Sequence, residues 1–358
     1  MPFWNLYLEQ HLGFSAAQIG YLSALVLATK MIGPYIWGWL ADYYGLRIRI
    51  IRLGSWLAFV SFLAVFWRQD FWTLFAIITV YSFFWNAVLS QFEVITLAHL
   101  RHHSDRYSQV RLWGSIGFIA AVASLGLLFD HADIRYLPPV LAVLLLGIFV
   151  ASMLVREPVA QCREKPQSHM ALFWQQLKKP GIAVFFLACF LVQFSHGPYY
   201  TFYTIYLESL GYARVLIGSL WSLGVAAEVV VFLLMHRFLA RFSLRYLLLI
   251  TLAITVCRWL LIAGFADYLS LLILAQLMHA ASFGSFHAVA IEVVRKNFSD
   301  ASSGQAQAFY SAVSFGAGGA TGALLSGWLW GAGAFWMFLL AALAAMLAFI
   351  AVWLFVRQ

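Results

Sequence analysis

Charge is scarce in this chain. Asp, Glu, Lys and Arg make up only 10% of its 358 residues, against about 25% in a water-soluble domain. That shortage excludes a globule folding in water. Cysteine is nearly absent. Cys162, Cys189 and Cys257 show no CxxC spacing and an odd count, so neither a disulfide framework nor a zinc site is implied. No HExxH, P-loop or GxSxG element occurs, which argues against an enzyme and leaves no cofactor or metal to expect. The first residues lack a basic region ahead of an apolar core, so no cleavable signal peptide is expected. Acidic residues are outnumbered, 14 to 22, for a net charge of +8. Such an excess can attract nucleic acid. Here, however, the basic residues recur in short clusters between apolar runs, and nucleic acid is not an expected partner.

What is abundant is lipid-soluble sequence. Hydrophobic residues reach 63%, mean hydropathy is +0.85, and aromatics, at 18%, crowd the ends of many apolar runs, as in interfacial belts. A span needs about 20 apolar residues. On that rule spans are expected near 17–41, 50–67, 71–95, 111–129, 137–155, 181–206, 215–236, 246–266, 268–292, 307–330 and 333–356, after a stub at 1–12. The fold class is all-α, a polytopic membrane protein. The longest polar stretch, 156–180, reads as a linker between transmembrane bundles at 1–155 and 181–358.

Basic residues orient the chain. One set of loops holds Arg47, Arg49, Arg52, Arg101, Arg106, Arg111, Arg156, Arg163, Lys165, Lys178, Lys179, Arg237, Arg241, Arg245, Arg295, Lys296 and Arg357; the other holds only Arg68, Arg135 and Arg214. The asymmetry alternates loop by loop, which predicts that the linker and C-terminus are cytoplasmic.

The two halves repeat. LYLEQHLGFSAAQIGYLSAL (6–25) aligns with IYLESLGYARVLIGSLWSLG (205–224) with one gap, so that Gly13, Ile19 and Gly20 fall on Gly211, Ile217 and Gly218. Parallel six-helix halves related by an axis along the membrane normal mark one transporter architecture. Tyr7 falls on Tyr206, which follows a full helix, whereas only six residues precede Tyr7. About one span of sequence is therefore expected to be missing ahead of it, leaving about 11 full spans.

Three charges interrupt the apolar runs: Lys30, Glu228 and Arg258. A mid-bilayer charge costs at least ~2.5–3.5 kcal/mol, and such residues usually face a bundle interior or a water-filled cavity. The repeat places Lys30 opposite Glu228 at equal depth. Either they line a central cavity or they form structural ion pairs. In CFLVQFSHGPYYTFY, Gln193 and His196 share a helix face at i, i+3 and Tyr199, Tyr200 and Tyr203 follow. Pro198 can break the helix there, and unwound backbone is tolerated where it lines a cavity. The glycines at 316, 318, 319, 322, 327 and 331 suggest close helix packing.

Gly38-Trp-Leu-Ala-Asp42-Tyr-Tyr-Gly45-Leu-Arg47 resembles the GxxxD(R/K)xGR signature of the major facilitator superfamily. The resemblance implies a gating role for Gly38, Asp42, Gly45 and Arg47, with the glycines allowing close helix approach and Asp42 accepting from a helix N-terminus or an arginine. Tyr43 replaces the usual basic residue, which implies a weaker latch. Across nearly the whole chain, DRYSQVRLWGSIGF (105–118) and GPYYTFYTIYLESLGY…IGSLWSLGVAAEV (197–229) are similar to the 3-phenylpropionate permease branch. Scattered charges resemble the lactose permease branch. There Glu228, Arg258 and His279 match proton-coupling positions, Glu93 and Arg111 match an acid–arginine substrate pair, and Phe118 matches an aromatic platform. That branch carries His-x-x-Glu, but this chain reads His279-Ala-Ala-Ser282, so the coupling carboxylate is missing. The lysine of the eleventh helix has no counterpart either.

The resemblance implies a secondary transporter of the bacterial inner membrane, working as a monomer by alternating access. It implies proton symport of a small organic solute, most readily an aromatic carboxylate such as 3-phenylpropionate. Glu228, Arg258 and His279 are expected to couple the proton, with the affinity of Glu228 set by whether Arg258 engages it. Lys30, Glu93, Arg111, Phe118, Gln193, His196 and Tyr199 are expected to contact substrate. A sugar or nucleoside symporter, or a non-transporting membrane receptor, remains open on the residues alone.

Overall fold

A computed structural model describes residues 2–100, 107–156 and 170–356, and within them it is helical with no strand. The first half comprises α1 (Trp4–Gln10), α2 (Ala16–Tyr44), α3 (Arg47–Leu63), α4 (Phe71–Leu100), α5 (Tyr107–His131) and α6 (Leu137–Leu154). The second half comprises α7 (Met170–Leu177), α8 (Pro180–Ser209), α9 (Arg214–Arg241), α10 (Leu244–Phe265), α11 (Leu269–Leu277), α12 (Phe286–Asn297), α13 (Asp300–Ser311), α14 (Gly319–Leu329) and α15 (Ala334–Phe355). Lipid offers no partner to backbone N–H and C=O groups, so apolar runs of this length close their bonds internally as helices. Among the described residues, 10 helices are long and apolar enough to cross a membrane.

Local chemistry sets the helix ends. At the start of α2, the Ser15 hydroxyl accepts from the Gln18 N–H at 3.3 Å and Gln18 Oε1 accepts from the Ser15 N–H at 2.9 Å, a reciprocal capping box. At its end Gly45 takes φ +66° and donates its N–H to the Ala41 carbonyl, a conformation few side chains tolerate. Asp70 starts α4, accepting from Thr73 Oγ1 at 2.7 Å and the Thr73 N–H at 3.1 Å. These two bonds hold its carboxyl below the ordinary aspartate range.

Two helices depart from the sequence reading. The run at 307–330, expected as one span, is interrupted by a π-helical turn at Ala312–Gly318. A second π turn, Ala280–Ser285, joins α11 to α12 inside one long crossing. Pro198 does not unwind α8, which is continuous from Pro180 to Ser209. The Phe194 carbonyl, left without an N–H partner by the proline, lies against Gly322, where any Cβ would overlap it. Close packing of backbone replaces the local break. Gly331, by contrast, faces open space and packs against nothing.

The repeat reappears in the backbone. The α1–α2 and α8–α9 turns each place a glycine at positive φ, Gly13 at 66° and Gly211 at 83°. The halves meet where α2 packs on α14 and α5 on α9. A Cβ on Gly20 would sit 3.0 Å from the Ala323 carbonyl, and one on the repeat-related Gly218 would sit 2.8 Å from the Val122 carbonyl. Both approaches lie toward the face with few arginines. An apolar core containing Leu22, Val122, Tyr199, Trp221 and Trp259 runs through both halves behind them.

Candidate functional site

Between the halves lies a cavity of about 430 Å³, within the size range of small-molecule sites. The first half contributes Trp4 and Asn5 from α1, Leu22, Ser23, Val26, Leu27 and Lys30 from α2, and Phe118 from α5. From the second half come Gln193, Gly197, Tyr200 and Thr201 of α8, Trp221 of α9, Gly319 of α14, and Phe283 and Phe315 from the two π turns. A π turn shifts the helical phase by one residue, and here each turn presents a phenylalanine to the cavity. The polar groups are few. Asn5 Nδ2 donates to the Thr201 carbonyl at 2.8 Å, tying α1 to α8, and Ser23 donates to Asn5 Oδ1 at 3.4 Å. Lys30, midway along α2, is the cation of the cavity lining, and among the described residues no carboxylate pairs with it.

Behind this wall is a buried polar cluster. Arg258 is fully buried. Its Nε donates to the Ala275 carbonyl at 2.9 Å and its Nη1 to Ser282 Oγ at 3.2 Å. Its guanidinium lies 4.3 Å from the Tyr199 ring centre and 4.4 Å from that of Trp259. Two aromatic faces thus offset the charge, and the Ser282 hydroxyl is the side-chain acceptor that Nη1 meets. Of the two arrangements left open for Glu228, engaged by Arg258 or not, the structure has the second. Arg258 is turned toward α11 and the rings of α8 and α10, and the partner of Glu228 is His279, with Nε2 to Oε2 at 3.8 Å. Glu228 fits beside Gly284, whose Cβ would approach its Cγ to 2.8 Å. His279 stacks on Phe283, centroids 5.4 Å apart and planes within 7°. One ring contact therefore joins the cavity wall to the buried acid.

The other expected contacts divide by helical phase. Gln193 reaches the cavity, but His196 does not. Its Nδ1 donates to the Val192 carbonyl at 2.8 Å, and its ring packs 4.9 Å from Trp259. Tyr199 also turns inward, donating to Gln276 Oε1 at 2.9 Å, and Gln276 donates on to Tyr203. Tyr200, one residue later, lines the cavity instead. Buried atoms without partners cluster here: His196 Nε2, His279 Nδ1 and Arg258 Nη2. Glu93 and Arg111 are exposed and lie outside the cavity lining.

Of the signature loop, Arg47 donates from Nη1 to Gln91 Oε1 at 2.8 Å. Gly38 meets open space, so the expected close helix approach is not made there. The Asp42 side chain, and residues 157–169 of the linker, lie outside the described residues. Sequence reading missed Asn5, Ser23, Thr201, Trp221, Phe283 and Phe315, and of the tyrosines after His196 it assigned substrate contact to Tyr199 where Tyr200 lines the cavity. The aromatics carried no distinguishing signal in a chain so rich in them. Asn5, a polar residue in the stub, was the one visible hint.

Comparison with known proteins agrees with this architecture. The model of the MFS_1 like family matches residues 1–340. A protein of Escherichia coli (strain K12) named "Probable 3-phenylpropionic acid transporter" is 31% identical, over 97% of this chain and 91% of its own. A maltose permease of Geobacillus stearothermophilus is 26% identical, over 94% of this chain and 86% of its own. Among solved structures, the D323A mutant of the nucleoside transporter NupG superposes with a TM-score of 0.86, covering 98% of this chain and 94% of that one at 19% identity, a likeness of fold alone. The chain belongs to the MFS_1 like family, and it is a multi-pass transporter of the major facilitator superfamily, not an enzyme.

Proposed function

We propose that this transporter carries an aromatic carboxylate, such as 3-phenylpropionate, together with a proton across the bacterial inner membrane, with the linker and C-terminus in the cytoplasm. The observation that carries this reading is the cavity's composition among the described residues: six aromatic walls (Trp4, Phe118, Tyr200, Trp221, Phe283, Phe315) and one cation, Lys30. A phenyl ring gains apolar contact and edge-to-face packing from such walls. An unpaired ammonium in a largely apolar cavity is costly, and a bound carboxylate relieves that cost. The E. coli relative named as a probable 3-phenylpropionic acid transporter points the same way.

In this reading Glu228 carries the proton. Substrate pressing on Phe283 shifts the stacked His279, and with it the 3.8 Å contact to Glu228. Binding and protonation are then coupled through one rigid ring pair. Bundles 1–155 and 181–358 rock about the cavity to expose it alternately to each side. Glu93, Arg111, His196 and Tyr199 act around the cavity, in its vestibule or behind its wall, while Gly45 and Arg47 shape the loop that gates it.

Lys30→Gln tests the substrate class. It should weaken binding of 3-phenylpropionate by tenfold or more while leaving its neutral amide nearly unchanged, measured by competition in proteoliposomes. Equal loss for acid and amide would make Lys30 structural. Robust wild-type uptake of a neutral sugar or nucleoside, with none of the acid, would replace the carboxylate reading.

A further inference from the structure

Every helix begins with N–H groups that have no partner within the helix. In the first half α2 meets this need itself, through Ser15 and Gln18. The repeat-related position ahead of α9 is Ala213, which has no side chain able to cap and makes no capping bond. The cap comes from the other half of the molecule. Asp130, near the end of α5, accepts from the Arg214 N–H at 2.7 Å through Oδ1 and from the Val215 N–H at 3.1 Å through Oδ2. A carboxylate at a helix N-terminus also meets the favourable end of the helix dipole, and bonds to an ionised acceptor are the stronger kind.

The contact is reinforced in the opposite direction. Arg214, on α9, donates from Nη1 to the Phe129 carbonyl at 2.9 Å and from Nη2 to Gln10 Oε1 at 2.8 Å, both in the first half. Glu208 of its own half steadies the guanidinium at 2.7 Å. Gly126 lets the helices come this close, since a Cβ there would lie 2.6 Å from the Arg214 carbonyl. At the repeat-related interface the corresponding tie among the described residues is a neutral bond, from Trp328 Nε1 to Tyr21 OH at 3.2 Å.

We propose that Asp130 is a latch between the two halves: it caps α9 in the state closed at the arginine-poor face, and opening that face leaves α9 uncapped. The cost of losing the cap then falls on the open state alone, because Ala213 offers nothing in exchange. Asp130 thereby sets the balance of the alternating-access equilibrium without touching the cavity. The inference rests on transport by the family's two-state motion and not on the identity of the substrate.

The test uses the full chain in nanodiscs, with native cysteines replaced and nitroxide labels on Arg135→Cys and Tyr268→Cys, which lie at the arginine-poor face in opposite halves. Pulsed electron resonance reads the ratio of open to closed distances. Asp130→Ala should raise that ratio roughly tenfold, the usual worth of a helix cap. Ala213→Ser alone should shift it in the same direction, because a serine caps α9 in either state and removes the penalty of opening. The double variant Asp130→Ala/Ala213→Ser should recover thermal stability yet remain shifted toward open. A wild-type ratio in Asp130→Ala would overturn the latch. So would a double variant whose ratio returns to wild type, for Asp130 would then be a helix cap and nothing more. If Asp130→Ala fails to fold, Ala213→Ser decides alone, and an unchanged ratio there also defeats the proposal.

Discussion

Replacing Glu228 by glutamine should abolish proton-driven accumulation and spare exchange. Glu228 sits midway along α9, its side chain 16% exposed, and its partner is His279 at 3.8 Å, not an arginine or lysine. By contrast Glu292 is held by Arg295 at 2.6 Å and Lys296 at 3.8 Å. Glutamine keeps the shape of glutamate beside Gly284 and can still hydrogen-bond His279, but it cannot release a proton. The driving force follows from the charges. One proton moving with a monoanion carries no net charge, so voltage contributes nothing and each pH unit supplies ~1.36 kcal/mol, a tenfold gradient. A neutral substrate would instead draw ~2.3 kcal/mol from 100 mV, roughly fiftyfold. The assay is uptake of labelled 3-phenylpropionate into proteoliposomes under a one-unit pH gradient at clamped zero voltage, then under voltage alone. Wild type should reach about tenfold in the first case and none in the second. Glu228→Gln should reach unity in both while retaining counterflow, and Glu292→Gln should behave as wild type. Tenfold accumulation by Glu228→Gln would assign the proton elsewhere, with His279 the next candidate. Voltage-driven accumulation in the wild type would refute an electroneutral pairing of proton and anion.

Two further outcomes follow from packing. Gly322→Ala, whose Cβ overlaps the Phe194 carbonyl, should cost about 1–3 kcal/mol of stability, while Gly331→Ala in open space should stay within about 0.5 kcal/mol; thermal unfolding in detergent reads both. Tyr199→Phe and Tyr200→Phe should separate cleanly. The first leaves the buried Gln276 Oε1 without its 2.9 Å donor, at about 1–3 kcal/mol. The second alters a cavity-lining residue and should change apparent substrate affinity with unfolding unmoved.

Composition and spacing alone determine that this chain is a helical membrane protein. A backbone in lipid has few other ways to satisfy itself, so apolar runs of span length are nearly sufficient evidence. The internal repeat was legible for a similar reason: Gly13 and Gly211 are fixed by the positive φ their turns require, and that requirement is local. Lys30 and Gln193 stood out because a polar side chain in a lipid-soluble run needs somewhere to go. What only the tertiary structure decided was which neighbours such residues meet. His196 and Tyr199 lie within one helical turn of cavity residues yet face inward, since a rotation of about 100° per residue separates Tyr199 from Tyr200. The π turns at Ala280–Ser285 and Ala312–Gly318 reset that phase and bring Phe283 and Phe315 to the cavity, a shift that propensity does not encode. The pairing of Glu228 with His279 in place of Arg258, and the capping of α9 by Asp130 from the opposite half, depend on how helices distant in sequence cross. The first crossing is close at Gly224 and Gly284, where a Cβ would meet the His279 ring and the Glu228 side chain, and the second at Gly126 and Gly218, where it would meet the backbone of the opposite helix.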